Sequence, residues 1–142
     1  MSDWEVAVKL LLACVCGGII GYSREKEKKA AGLRTNILVC LGSTLFTIIS
    51  IGFGQKYPGT DMARIAGNIV TGIGFIGAGT ILQAGGSVIG ITTAASIWTV
   101  AAIGMALGAS FYLAAGLATL ITFSTLWFLH KFEKKYIRGE GA

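Results

Sequence analysis

Charge is scarce in this sequence. Only 13% of its 142 residues are Asp, Glu, Lys or Arg, against about 25% in soluble domains. A chain this poor in charge, 54% hydrophobic and with a mean hydropathy of +0.71, cannot cover a soluble surface and reads as an integral membrane domain with short loops. Histidine occurs once, as His130 at the edge of an apolar run, and no nucleophile–base pair accompanies it, so no enzyme is expected. Cys14, Cys16 and Cys40 all lie in apolar stretches without a second Cys pair, which excludes a disulfide framework or zinc site and leaves them as small buried hydrophobes. The first residues, Met1-Ser2-Asp3-Trp4-Glu5, are acidic where a cleavable signal peptide would be basic. The single proline belongs to Tyr57-Pro58-Gly59, a turn signal.

What is abundant is glycine inside apolar runs. Thr71 to Leu82 holds glycine at 72, 74, 77 and 79 and no charge at all. Gly72-x-Gly74-x-x-Gly77 matches a dinucleotide-binding pattern, but it lacks the preceding strand, and no acid occurs between Gly90 and Ser110. In lipid, where backbone groups must bond internally, the same glycines are a means of bringing helices together.

Five largely apolar stretches are separated by the charged run Arg24–Arg34, the turn at Tyr57-Pro58-Gly59, the break Gln83-Ala84-Gly85-Gly86-Ser87 and a short break around Gly108 to Ser110. The expected architecture is all-α, a polytopic bundle of five transmembrane helices spanning about residues 6–22, 33–53, 61–82, 91–107 and 111–129. Residues 1–130 form this domain and residues 131–142 a basic tail. The run from Arg24 to Arg34 and the tail residues Lys131, Lys134, Lys135 and Arg138 carry most of the basic side chains, and five helices put them on one side. The positive-inside rule makes that side cytoplasmic and places the N-terminus outside. The net charge of +5 is thus accounted for by loops meeting anionic lipid, and no nucleic-acid partner is expected. Thr60 or Asp61 is placed to cap the third helix. The hydroxyls of Ser43, Thr44, Thr47 and Ser50 can return to carbonyls of the second helix.

Small residues four apart mark packing faces: Gly74 with Ala78, Ala102 with Ala106, and Gly104 with Gly108, with Ala94 near the start of the fourth helix. Gly72, Gly74, Gly77, Gly79, Ala94 and Ala102 are the expected packing positions. The third and fourth helices are expected to form the bundle centre or a subunit interface.

Few ionisable groups could carry function near lipid. Asp61, Arg64 and Asn68 follow i, i+3, i+7 spacing on one helix face, which offers either ordinary capping and snorkelling or the outer mouth of a polar site. Glu25 and Arg34, with Arg24, fall at the ends of adjacent helices, close enough to pair. Within the bundle only the carboxylates of Glu25, Glu27 and Asp61 are available to a metal, and Asp61 lies across the membrane from the other two, which leaves Glu25 and Asp61 as weak metal candidates. No cofactor is expected, with Mg²⁺ conceivable only as ligand or substrate.

Several motifs in order resemble one family. Arg24-Glu25, Ala31-Gly32-Leu33-Arg34-Thr35, Asp61-x-x-Arg64-Ile65-Ala66, Gly72-Ile73-Gly74-Phe75-Ile76-Gly77-Ala78-Gly79 and Thr92-Thr93-Ala94-Ala95-x-x-Trp98 are similar to the membrane domain of the MgtC/SapB family over about residues 6–129. The resemblance implies a multi-pass protein of the bacterial inner membrane, associated with growth at low magnesium and with virulence. It implies a regulator of other membrane proteins, such as the F-type ATP synthase. The alternative reading is a small dimeric cation transporter or channel, with Mg²⁺ as first candidate and Asp61, Asn68 and Glu25 along its path. Self-association is expected in either case. Three positions depart from the family pattern: Asn36 stands where His is common, Asn68 where Gln is common, and Ile89 where a basic residue is frequent. Many members continue into a cytoplasmic domain, so the resemblance extends to the membrane domain only.

Overall fold

The computed structural model describes residues 1–132, and the expected tail residues Lys134, Lys135 and Arg138 lie outside them. Five helices follow one another: α1 (Asp3–Lys26), α2 (Leu33–Lys56), α3 (Met62–Ala78), α4 (Ile91–Gly108) and α5 (Tyr112–Phe132). Between α3 and α4 lies a small antiparallel hairpin, β1 (Leu82–Ala84) and β2 (Ser87–Ile89), in the register Leu82↔Ile89, Gln83↔Val88, Ala84↔Ser87. The protein is a membrane protein: α1, α2, α4 and α5 are long and apolar enough to cross a bilayer.

Local chemistry sets the helix limits. Ser2 caps α1 by accepting from Glu5 N at 3.3 Å. Acids in the first turn and Arg24 and Lys26 in the last match the helix dipole. Lys28, with φ of 54°, turns the chain out of α1. At 24 residues, α1 and α2 run about 36 Å at 1.5 Å per residue, enough for a hydrocarbon core of about 30 Å. The third helix is shorter, at 17 residues. It was expected to reach Leu82 but stops at Ala78. Gly85 and Gly86, at φ 58° and 83°, supply the left-handed backbone of the hairpin turn, and the chain needs extended residues on either side to close it.

The centre of the bundle is α2, held between α1 on one side and α4 on the other. One apolar cluster joins Ala13, Ile20, Cys40, Val100, Ile103, Leu107 and Ala115, and a second joins Ala31, Ile69, Ile73, Ile97 and Ala101. The close approaches are made by glycines. A Cβ built on Gly17 would lie 2.6 Å from Asn36 O, and one on Gly108 would lie 2.7 Å from Thr44 O; one on Gly104 would collide with Cys40 O. Thr44 fastens this contact, donating to Cys40 O and reaching Gly104 O, each at 2.8 Å.

Of the two placements expected for α3 and α4, bundle centre or subunit interface, the first does not hold for the pair within one chain: α4 packs into the centre against α2, and α3 lies outside it. The Gly104/Gly108 pair does pack, but against α2. Within one chain Gly72 and Gly74 have nothing within 4 Å of a built Cβ, and Gly77 makes only an ordinary contact with Ala94 at 3.5 Å. Gly79 caps the end of α3, and Ala102 is exposed. The physical reason is the neighbouring residues. Beside the α4 glycines stand Val100, Ile103 and Leu107, which bury against α1 and α2, whereas Phe75 and Ile76 beside Gly74 point outward, with Phe75 84% exposed.

Candidate functional site

Polar side chains gather at the two ends of the bundle. At the end carrying the Arg24–Arg34 run, Glu25 does not pair with Arg34. Its Oε2 accepts from Leu33 N at 2.9 Å and so caps α2, whose N-cap residue is Gly32 and has no capping side chain. A Cβ on Gly32 would collide with this carboxylate, which explains why Glu25 and Gly32 occur together. Arg34 is exposed and makes no ion pair among the described residues. Arg24 instead turns inward, 3% exposed, with Nη2 donating to Thr93 Oγ1 at 2.7 Å and Nη1 4.0 Å from Glu27 Oε2. Asn36 is fully buried and donates from Nδ2 to Ala31 O and Gly32 O at 3.0 and 2.8 Å, closing the α1–α2 connection.

At the opposite end Asp61 caps α3, Oδ1 accepting from Ala63 N at 2.9 Å. Arg64 and Asn68 are exposed on the same helix. Asn68 lies at an apolar cavity of about 630 Å³ between α2 and α3, also lined by Ser43, Phe46, Ile69, Gly72 and Ile73. Asp61, Arg64 and Asn68 thus share a helix but do not converge on one another through hydrogen bonds or ion pairs.

Composition gave no hint of what Lys9 does. It is 1% exposed inside the first apolar span, and its ammonium lies 3.1 Å from Glu5 Oε1 while donating to Gly108 O at 3.2 Å. It therefore neutralises the negative end of α4 and ties α1 to it. The available signal was a lone charge within an apolar stretch, which in a membrane helix must have a partner.

Among the described residues no group of three or more His, Cys, Asp or Glu side chains comes together. Glu25 and Asp61, the two metal candidates, are helix caps at opposite ends of the bundle.

Comparison with known proteins agrees with the order of motifs. The model of the MgtC family matches residues 10–135. The chain is 42% identical over 132 residues to YhiD of Escherichia coli (strain K12), named as a candidate magnesium transporter, covering 89% of this chain and 61% of that one. It is 38% identical to SapB of Bacillus subtilis (strain 168), covering 89% and 57% of the two chains, and 42% identical to MgtC of Salmonella typhimurium (strain LT2), covering 85% and 51%. The chain thus spans between half and two thirds of the length of these relatives. No solved structure matches it.

Proposed function

The chain belongs to the MgtC family, and on that premise we propose that it is a non-enzymatic regulator of other membrane proteins, acting in magnesium homeostasis and adaptation to low magnesium. One observation carries this reading. The two carboxylates that a cation path would require, Glu25 and Asp61, are each engaged as helix caps at opposite ends of the bundle. Mg²⁺ demands carboxylate and water oxygens in near-octahedral array, and the α1–α2–α4 interior holds apolar and hydroxyl side chains packed to glycine contact, with Lys9 and Asn36 bonded to backbone carbonyls and no carboxylate among its described buried side chains.

The surface for a partner is α3. Gly67 and Gly74 stand seven residues apart on one face, both exposed and with nothing within 4 Å of a built Cβ. A face without bulky side chains lets another membrane helix approach closely. The occupant is a second copy of this chain or a membrane enzyme such as the F-type ATP synthase, the latter following the family resemblance. The basic end, with Arg24, Lys26, Lys28, Lys29 and Arg34, faces the cytoplasm and the N-terminus lies outside.

The second reading is a small cation transporter that needs two copies to complete its path. It is favoured by the name of the E. coli relative and by Asn68, an amide opening onto the apolar α2–α3 cavity. Proteoliposomes loaded with a Mg²⁺-sensitive dye separate the two. The regulator gives no gradient-driven signal above empty liposomes and co-purifies with a membrane partner. A flux that disappears in Asp61→Ala or Glu25→Ala overturns it.

A further inference from the structure

The N-termini of the helices are not treated alike. Ser2 caps α1, the Glu25 carboxylate caps α2, and Asp61 caps α3. The start of α4 has no such group: its N-cap is Gly90, in a left-handed conformation at φ 94°, with no side-chain cap. The first intrahelical bond is made by Ala94 N to Gly90 O, so the N–H groups of Ile91, Thr92 and Thr93 precede the ladder and have no acceptor within it. Such a terminus carries about half a unit of positive charge.

Beside this positive end the fold buries another positive charge. Arg24 is 3% exposed, yet its five donors meet one hydroxyl, on Thr93, and one carboxylate oxygen of Glu27 at 4.0 Å; its Nε is buried with no partner. A buried guanidinium left this poorly matched against a helix N-terminus is unfavourable unless an anion joins them. Arg24 and residues 90–93 at the start of α4 line one cavity of about 770 Å³, under the β1–β2 hairpin and beside α5. Lys28 and Lys29 stand at it, with hydroxyls from Thr80, Thr92 and Thr125, and its remaining wall is apolar, including Val88, Ile89 and Leu126. Three basic side chains face it against one acid, Glu27.

From these features we propose that the cavity is an anion site for a phosphoryl group, held by Arg24, the open first turn of α4 and the Thr93 hydroxyl, with Lys28 and Lys29 at its mouth. The sign of the site excludes a metal cation as its occupant. A planar guanidinium and a helix N-terminus are matched to tetrahedral phosphate oxygens. The apolar wall is compatible with a phospholipid headgroup whose chains lie along α5, and the volume equally admits a soluble phosphate. The site is independent of whether the protein regulates or transports.

The test uses the full chain, delipidated in detergent, with thermal unfolding followed against sodium phosphate, sodium chloride at matched ionic strength, and short-chain phosphatidylglycerol. The site predicts a saturable rise in unfolding temperature with phosphate or phosphatidylglycerol that chloride does not produce. Arg24→Gln should weaken the apparent affinity about tenfold or more. Lys28→Gln with Lys29→Gln, both exposed and away from the core, should weaken it about threefold. Lys56→Gln at the opposite end should leave it unchanged. A response to both ligands identifies the phosphoryl group itself as what is bound, and a response to phosphatidylglycerol alone identifies the lipid. Should Arg24→Gln fail to fold, the double lysine variant decides. No saturable response beyond chloride, or equal responses in wild type and the lysine variant, overturns the site.

Discussion

A Cβ added at Gly17 of α1 would lie 2.6 Å from the backbone of α2, and one at Gly104 of α4 would run into α2 as well; at Gly67, Gly72 and Gly74 of α3 it would meet nothing within 4 Å. The two sets are alike in sequence, both embedded in apolar runs at small-residue spacing. They differ in what surrounds them. On α1 and α4 the flanking branched residues Ile20, Val100 and Ile103 are buried against other helices, so the glycines mark where backbones touch. On α3 the neighbouring Phe75 is the most exposed large hydrophobe in the described chain. The contrast teaches that a glycine stripe in a membrane helix marks a capacity for close approach, and that the bulky residues beside it decide whether the approach occurs inside the chain or outside it.

Four substitutions probe the difference between the two glycine sets and the helix ends that hold them. Gly104→Leu has the largest expected effect: it forces α2 and α4 apart and should cost about 3 kcal/mol or more, read as loss of monodisperse folded protein in detergent. Lys9→Met comes next. It leaves Gly108 O without its donor in a buried position, at an expected cost of about 1–3 kcal/mol, measured by thermal unfolding. Glu25→Gln keeps a side-chain oxygen at the start of α2 but removes its charge, and should cost about 0.5–1 kcal/mol with the fold intact. Gly74→Leu, which meets open space, should change the stability of the single chain by about 0.5 kcal/mol or less, while reducing recovery of a partner in pull-down from membranes.

Much of the fold was legible because it rests on local rules. Asp61 reads as an N-cap and is one, and Thr44 and Thr47 return their hydroxyls to α2 as their type predicts. The five helices follow from hydropathy, from the charged run between the first two and from the glycine and proline breaks between the others. Pairing of helices was not legible, since α3 and α4 carry equally suggestive spacings and only tertiary contacts distinguish them. The hairpin falls in the gap between the third and fourth expected helices and is not legible as strands, because two three-residue strands are too short for an alternation signal. At the polar ends, Glu25 was singled out and does hold a structural post, but the expected pairing with Arg34 fails: the α2 amide lies nearer and is otherwise uncapped. Arg24 and Lys9 are the sharper cases. Arg24 reads as a helix-end charge close enough to pair with its neighbours and Lys9 as a lone charge in an apolar stretch, yet each is turned inward by a helix end contributed from α4, 69 and 99 residues away in sequence.

The central claim, that the α1–α2–α4 glycines hold the chain together while the α3 glycines are free for a partner, is tested most directly by comparing Gly104→Leu with Gly74→Leu. Thermal unfolding of both, purified in parallel from the same membranes, is the measurement. The packing predicts that Gly74→Leu unfolds at the wild-type temperature and that Gly104→Leu unfolds many degrees lower or is not recovered folded. Equal destabilisation of the two, or a larger loss in Gly74→Leu under conditions where the protein is monomeric, contradicts it.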